Sequence, residues 1–186
     1  MLAGVSRTLR QRLQSAITHS ASADWVKIGA FQSDELLEVA NSELMVFLYA
    51  IEQNAHLRNQ PHVVTENGDY VPAPLVLTLQ YMVTYVSPSP SSVQEWLTEV
   101  LRVFPSQCRL GPADLDPSLH GRIDGLTVRL RSLSVEELNR LWTALNVGMR
   151  LALFYEVDAA LIPASDPEPV GPVERRALTV SRRAVA

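Results

Sequence analysis

The stretch LVLTLQYMVTYV, residues 75–86, is the strongest indication of the fold, because no other part of the chain alternates as regularly. Its odd-numbered residues are leucine, tyrosine or valine throughout, whereas its even-numbered residues include Thr78, Gln80 and Thr84. A period of two places successive side chains on opposite faces of a strand. The stretch therefore predicts a long strand with one fully apolar face.

Apolar runs on both sides of this stretch predict further strands. Residues 44–51 (LMVFLYAI) are almost continuously apolar, which is typical of a strand buried on both faces in the middle of a sheet. Residues 25–31 predict a short strand upstream, and residues 126–131 (LTVRLR) and 151–161 predict two strands downstream. Within residues 63–71, the Asn-Gly pair at 67–68 predicts a β-hairpin, because both central turn positions need positive φ.

Three helices are predicted, one before the first strand and two between later strands. Residues 2–19 carry apolar side chains at three- and four-residue spacing, which indicates an amphipathic helix. A second helix is predicted from Ser92, where Glu95 completes a capping box, to its end at Pro105.

The third helix follows a segment rich in proline and glycine, residues 105–125, in which we expect one short helical turn around 117–120. Its start is predicted by a second capping box, formed by Ser134 and Glu137. Gly148 fits just past its end.

This order of elements predicts an α+β fold: a mainly antiparallel sheet with helices packed on one face, a projecting β-hairpin and a C-terminal arm. We expect one domain over residues 1–162. Residues 163–186 then form a stiff proline-rich linker and a basic arm, in which residues 173–181 alternate like a short strand.

Composition bounds the class of protein. The 186 residues are 47% hydrophobic and 19% charged, as in an ordinary globular domain. Cys108 is the single cysteine, which fits folding in a reducing compartment. No secretion signal is visible, and the apolar runs are too short to span a bilayer, so we expect synthesis in the cytoplasm.

Charge is unevenly distributed along the chain. The formal net charge of −4 argues against a generic nucleic-acid binder. Residues 1–23 and 172–186 each carry +3, so the body between them carries −10. An acidic body with two basic ends favours contacts between copies, although two solvated termini explain the charges equally well.

The search for chemistry finds no catalytic or cofactor-binding motif. The best metal-like group is Asp114, Asp116, His120 and Asp124. Its spacing matches no calcium loop, and aspartate before Pro117 is a common turn former, so we interpret these residues as turn residues and predict no metal.

Three stretches resemble one protein family. They are LMVFLYAIEQNAHLRNQP (residues 44–61), PLVLTLQYMVTYVSPSPSSVQEWLTEVLRVF (74–104) and LTVRLRSLSVEELNRLWTALNVGMRLALFYEV (126–157). Together with VSRTLR in the first helix, they resemble the tail-terminator (cap) proteins of extracellular contractile injection systems, which are phage-tail-like particles. The resemblance covers about residues 1–180.

The resemblance implies a structural protein without catalytic residues. It implies a hexameric ring on the baseplate-distal end of the inner tube and sheath, where the ring stops polymerisation. The implied partners are other copies of the chain and the terminal layers of sheath and tube, with no nucleic acid, no membrane and no cofactor.

Candidate assembly contacts follow from charge and from the arm. In the arm, apolar Leu178 and Val180 alternate with small residues. On the strand at 126–131, Arg129 and Arg131 share the face opposite the apolar one, which is either an anion contact or a solvated face. The full set is Arg7, Arg10, Arg12, Arg129, Arg131, Arg175, Arg176, Leu178 and Val180.

Two other classes of function stay open at this point. A nucleic-acid or membrane-surface adaptor would use the basic termini. A small hydrolase would need a site that carries none of the known motifs.

Overall fold

The computed structural model describes residues 1–18, 24–29, 42–54, 63–64, 69–71, 75–161 and 168–169. The chain divides into two compact units. The larger unit comprises Met1–Asn59 and Pro74–Pro163, and the smaller comprises Gln60–Ala73 and Ala164–Ala186.

Nine strands are present in the described ranges: β1 Val26–Ile28, β2 Glu43–Gln53, β3 Val63–Val64, β4 Asp69–Val71, β5 Leu75–Val86, β6 Gln107–Leu110, β7 Leu126–Arg131, β8 Leu153–Leu161 and β9 Glu168–Pro169. Six of them form the sheet of the larger unit, in the order β1-β2-β5-β8-β7-β6. Only β1 and β2 pair in parallel, and the other neighbours in this sheet are antiparallel.

The described residues also contain three α-helices, α1 (Leu2–Ala16), α2 (Pro90–Val103) and α3 (Val135–Ala144). Short 3₁₀ turns lie at Pro112–Asp114 and Pro117–Leu119. The α+β class and the mainly antiparallel sheet are thereby confirmed. No helix among these residues is both long enough and apolar enough to cross a membrane.

Helices cover both faces of the sheet. We call the face that carries Leu79 and Tyr81 the main face; α1 and α2 pack on it. We call the face that carries Met82 and Phe154 the second face; α3 packs on it through Trp142. The expectation that all helices lie on one face therefore fails for α3, because the even-numbered side of β5 contributes apolar side chains as well.

The main face holds the larger core. The hydroxyls of Tyr81 and Ser6 form a buried hydrogen bond of 2.9 Å, and burial raises the pKa of Tyr81 to about 12. The Tyr155 hydroxyl donates to the Phe104 carbonyl oxygen at 3.2 Å. Both buried hydroxyls thus have partners, so the core pays no penalty for unsatisfied polar atoms there.

The smaller unit contains a three-stranded sheet in the order β3-β4-β9, antiparallel throughout. Val63 lies opposite Val71, so two strands pair where the hairpin is predicted. The turn at 67–68 and the predicted strand at 173–181 lie outside the described residues. The projection of the hairpin and the domain boundary at 162 stay predictions.

Local differences from the sequence reading have physical reasons. Helix α2 begins at Pro90 with Ser89 as N-cap, so the capping box at Ser92 is wrong. Proline is well suited to the first helical position, because its missing N–H would have no partner there anyway.

Three further differences lie between the end of α2 and the start of β8. The residue in the left-handed conformation after α3 is Asn146 (φ 54°), in place of the expected Gly148. The segment 105–125 contains the short turn at Pro117–Leu119, as predicted, and also β6, which was not predicted. Strand β8 begins at Leu153, two residues later than expected.

Candidate assembly surface

Hydrogen bonds within the larger unit hold the Arg7 side chain in place. Its guanidinium donates to both carboxylate oxygens of Asp116, at 3.0 and 3.2 Å, and to Ser118 Oγ at 2.9 Å. The Asp116 side chain is only 8% exposed, and the hydrogen bond from Arg7, followed by that from Ser118, holds its pKa well below the usual range. Arg7 therefore ties α1 to the turn at Pro117–Leu119.

The other two arginines of α1 differ from each other. Arg10 forms an ion pair with Asp24, which also pairs with Lys27 at 3.0 Å. Arg12 is exposed and has no ion pair with any residue that the structure describes. Of the three basic residues, Arg12 alone is open to a partner in the described part of the chain.

The metal-like group forms turns. Asp116 Oδ1 accepts a hydrogen bond from the Ser118 backbone N–H at 3.1 Å, and Asp114 Oδ2 accepts one from the Gly111 N–H at 3.1 Å. Within the described ranges, no three histidine, cysteine or acidic side chains come together as metal ligands.

Arg129 and Arg131 belong to an ion-pair network on the second face. Arg129 pairs with Asp158 at 2.6 Å and lies 3.9 Å from Glu156. Arg131 lies 3.6 Å from Glu156 and 3.3 Å from Glu137 of α3. The two arginines come together because β7 pairs with β8, which carries both partner acids on the same side.

This network continues across the sheet. Thr78 Oγ1 donates to Asp158 Oδ1 at 2.7 Å, and Gln80 Nε2 donates to Glu52 Oε1 at 2.6 Å. We call the sheet residues of this network the polar band: Glu52, Thr78, Gln80, Arg129, Arg131, Glu156 and Asp158. Carboxylates of β8 already neutralise Arg129 and Arg131, so both arginines act within the sheet by linking neighbouring strands.

The arm residues of the candidate set, Arg175, Arg176, Leu178 and Val180, lie outside the described residues.

Sequence reasoning missed an exposed apolar surface beside α3. Met149 and Leu151 are 67% and 55% exposed and line one groove. The signal was the sequence MRL at 149–151, in which two large apolar residues flank an arginine. This surface was not predicted, because Leu151 was assigned to the following strand.

Comparison with solved structures identifies the same fold elsewhere. The sheath/tube terminator of PVC, an extracellular contractile injection system, in its extended state has a TM-score of 0.63 at 18% identity, over 99% of this chain and 64% of that chain. The tube terminating cap of the anti-feeding prophage has a TM-score of 0.62 at 20% identity, over 97% of this chain and 62% of that chain. The chain thus spans less than two thirds of either solved chain.

At sequence level, no curated protein matches the chain. The Pvc16 N-terminal domain family matches it over residues 4–176, which is most of its length. The chain therefore belongs to the family of Pvc16 N-terminal domains.

Proposed function

We propose that this protein is a structural cap, which closes the end of the tube and sheath of a contractile injection particle. The observation that carries the proposal is family membership over residues 4–176, together with a fold shared with a sheath/tube terminator and a tube terminating cap. The protein acts by binding, without catalysis, and it is made and assembled in the cytoplasm.

The ion pairs support a cap over an adaptor for nucleic acid or membranes. Such an adaptor needs free cations to replace the counterions of an anionic surface. Arg7, Arg10, Arg129 and Arg131 are each paired with a carboxylate. These four arginines are therefore already neutralised within the fold and are not free to bind an anionic surface.

A ring is the assembly that suits this role. A head-to-tail interface that closes on itself limits growth, as a terminator requires. We propose six copies at the baseplate-distal end, in contact with the last layers of sheath and tube. In each copy the arm at 173–181 adds to the sheet edge of the neighbour, where main-chain hydrogen bonds supply affinity.

Deletion of the gene tests the cap. We expect intact baseplates on tails of abnormal length or without a stable sheath, and a plasmid copy of the full chain should restore uniform particles. Measured tail-length distributions that are normal in the deletion strain would rule out the role.

Cross-linking tests the ring. Particles cross-linked with the chain in place should yield a mass of six copies for the cap assembly. A mass that corresponds to one copy per particle would exclude the ring while leaving the cap possible.

A further inference from the structure

An apolar groove opens at the end of the second face where α3 meets the loop that leads into β8. Its volume is about 490 Å³, and Leu138, Trp142 and Phe154 are among the residues that line it. Met149 and Leu151 stand at its exposed side. Large apolar side chains that cluster at an exposed groove mark a site for another protein.

Hydrogen bonds fix the backbone of the loop that carries Met149 and Leu151. The Leu151 carbonyl oxygen accepts a hydrogen bond from Thr84 Oγ1 at 2.7 Å. At the other end of the loop, the Val147 N–H donates to the Trp142 carbonyl oxygen at 3.4 Å. A loop anchored at both ends loses little conformational freedom on binding, so the surface is preorganised for a partner.

An unpaired cation lies within this apolar surface. Arg150 lines the groove between Met149 and Leu151 and forms no ion pair among the described residues. In contrast, Arg131 on the same groove is neutralised by Glu137 and Glu156. Methionine and arginine are enriched in protein interfaces, where a desolvated arginine needs a carboxylate partner.

We infer that this groove is a docking site for a segment of another subunit of the particle, one that inserts apolar side chains and places a carboxylate against Arg150. The inference rests on the proposed cap function and names its contact surface. The basic arm of a second copy does not fit, since residues 172–186 carry +3 and Arg150 repels them.

Binding to uncapped particles tests the site. Particles from the deletion strain are the probe, and the full chain is added and co-sedimented with them. We expect Met149→Ser and Arg150→Glu each to weaken binding about tenfold or more, the loss typical of a central interface residue. Melting temperatures should change little, because Met149 is exposed and Arg150, which is half-buried, forms no ion pair in the described ranges.

Two variants serve as matched controls. Val135→Ser removes an exposed apolar side chain that does not line the groove, and Arg122→Glu reverses an exposed charge away from it. Both should bind like the wild type.

Three results would overturn the inference. If Met149→Ser and Arg150→Glu bind normally, the groove is not the docking site, although the cap function stands. If they bind particles normally but lose self-association, the groove holds a second copy. If the wild-type chain does not bind uncapped particles, the cap function fails and the inference with it.

Discussion

The two faces of the central sheet differ in how completely helices cover them and in how polar their side chains are. On the main face, α1 and α2 pack over a continuous core that includes Leu79, Tyr81, Val83 and Tyr85 of β5. On the second face, α3 covers only the end near Met82 and Phe154, while the polar band occupies the neighbouring positions. One face of the sheet is thus buried and apolar and supplies stability. The other face is partly polar and leaves some side chains exposed to solvent.

This difference indicates which surface is free for the contact that we propose. Burial of a large apolar side chain contributes about 1.5–3 kcal/mol, so stability comes mainly from the main face. Exposed groups on the second face contribute little to folding, and in our proposal a partner buries them. Four predictions test this division, in order of decreasing effect on stability.

The largest effect is expected on the main face. Leu79 is fully buried on β5, and Leu79→Ala should lower the free energy of unfolding by about 2–5 kcal/mol through lost burial and a cavity. Met149→Ala on the second face should change it by less than about 0.5 kcal/mol. Denaturant unfolding of the two variants measures the contrast, and equal losses would contradict the division.

The next effect depends on pH. The lowered pKa of Asp116 means that its ion pair stabilises the fold above the ordinary carboxyl range, near pH 4, and that this contribution is lost as pH falls through the lowered value. Asp116→Asn should therefore melt at a lower temperature than the wild type at pH 7, with a gap that narrows in acid.

Arg7→Met removes the main cause of that pKa shift and should show the same behaviour as Asp116→Asn. Arg12→Met is the matched control, since Arg12 is exposed without an ion pair in the described ranges, and it should melt like the wild type. A gap that stays constant from pH 7 to acid would refute the role of the ion pair.

A smaller effect is expected at the start of α3. Ser134 Oγ accepts a hydrogen bond from the Glu137 N–H at 3.2 Å, and the Glu137 carboxylate accepts one from the Ser134 N–H at 2.8 Å. Ser134→Ala should cost about 1 kcal/mol, the usual value of an N-cap. Ser92→Ala should cost nothing, because Ser92 lies inside α2. Unfolding curves that show equal costs would disprove the capping role of Ser134.

The smallest effect on stability is expected from truncation after Pro172. The larger unit should melt as before, because that compact unit ends at Pro163, before the truncation point. Capping of particles should fail, since Leu178 and Val180 no longer reach a neighbouring sheet edge. If the shortened chain caps particles as well as the full one, the arm is not an assembly element.

Local patterns predicted much of this fold, and longer-range pairing explains what they missed. Strands β5 and β7 begin and end where the alternation does, because each residue's face depends only on its neighbours in sequence. Strand β6 escaped prediction because its four residues are held by pairing with β7, a contact that no local pattern encodes. In the same way, Arg129 was placed on the correct strand face without any sign of its partners.

Sequence patterns were enough to predict the α+β class, the long central strand and the capping box of α3, and they carry the resemblance to tail terminators. These depend on residue type and spacing within one segment. Only the tertiary contacts reveal that Arg7, Arg129 and Arg131 are paired and that Met149 and Leu151 remain exposed. The physical reason is that ion pairing and exposure depend on which segments the fold brings within a few ångströms, and that distance is set by strand register and helix packing.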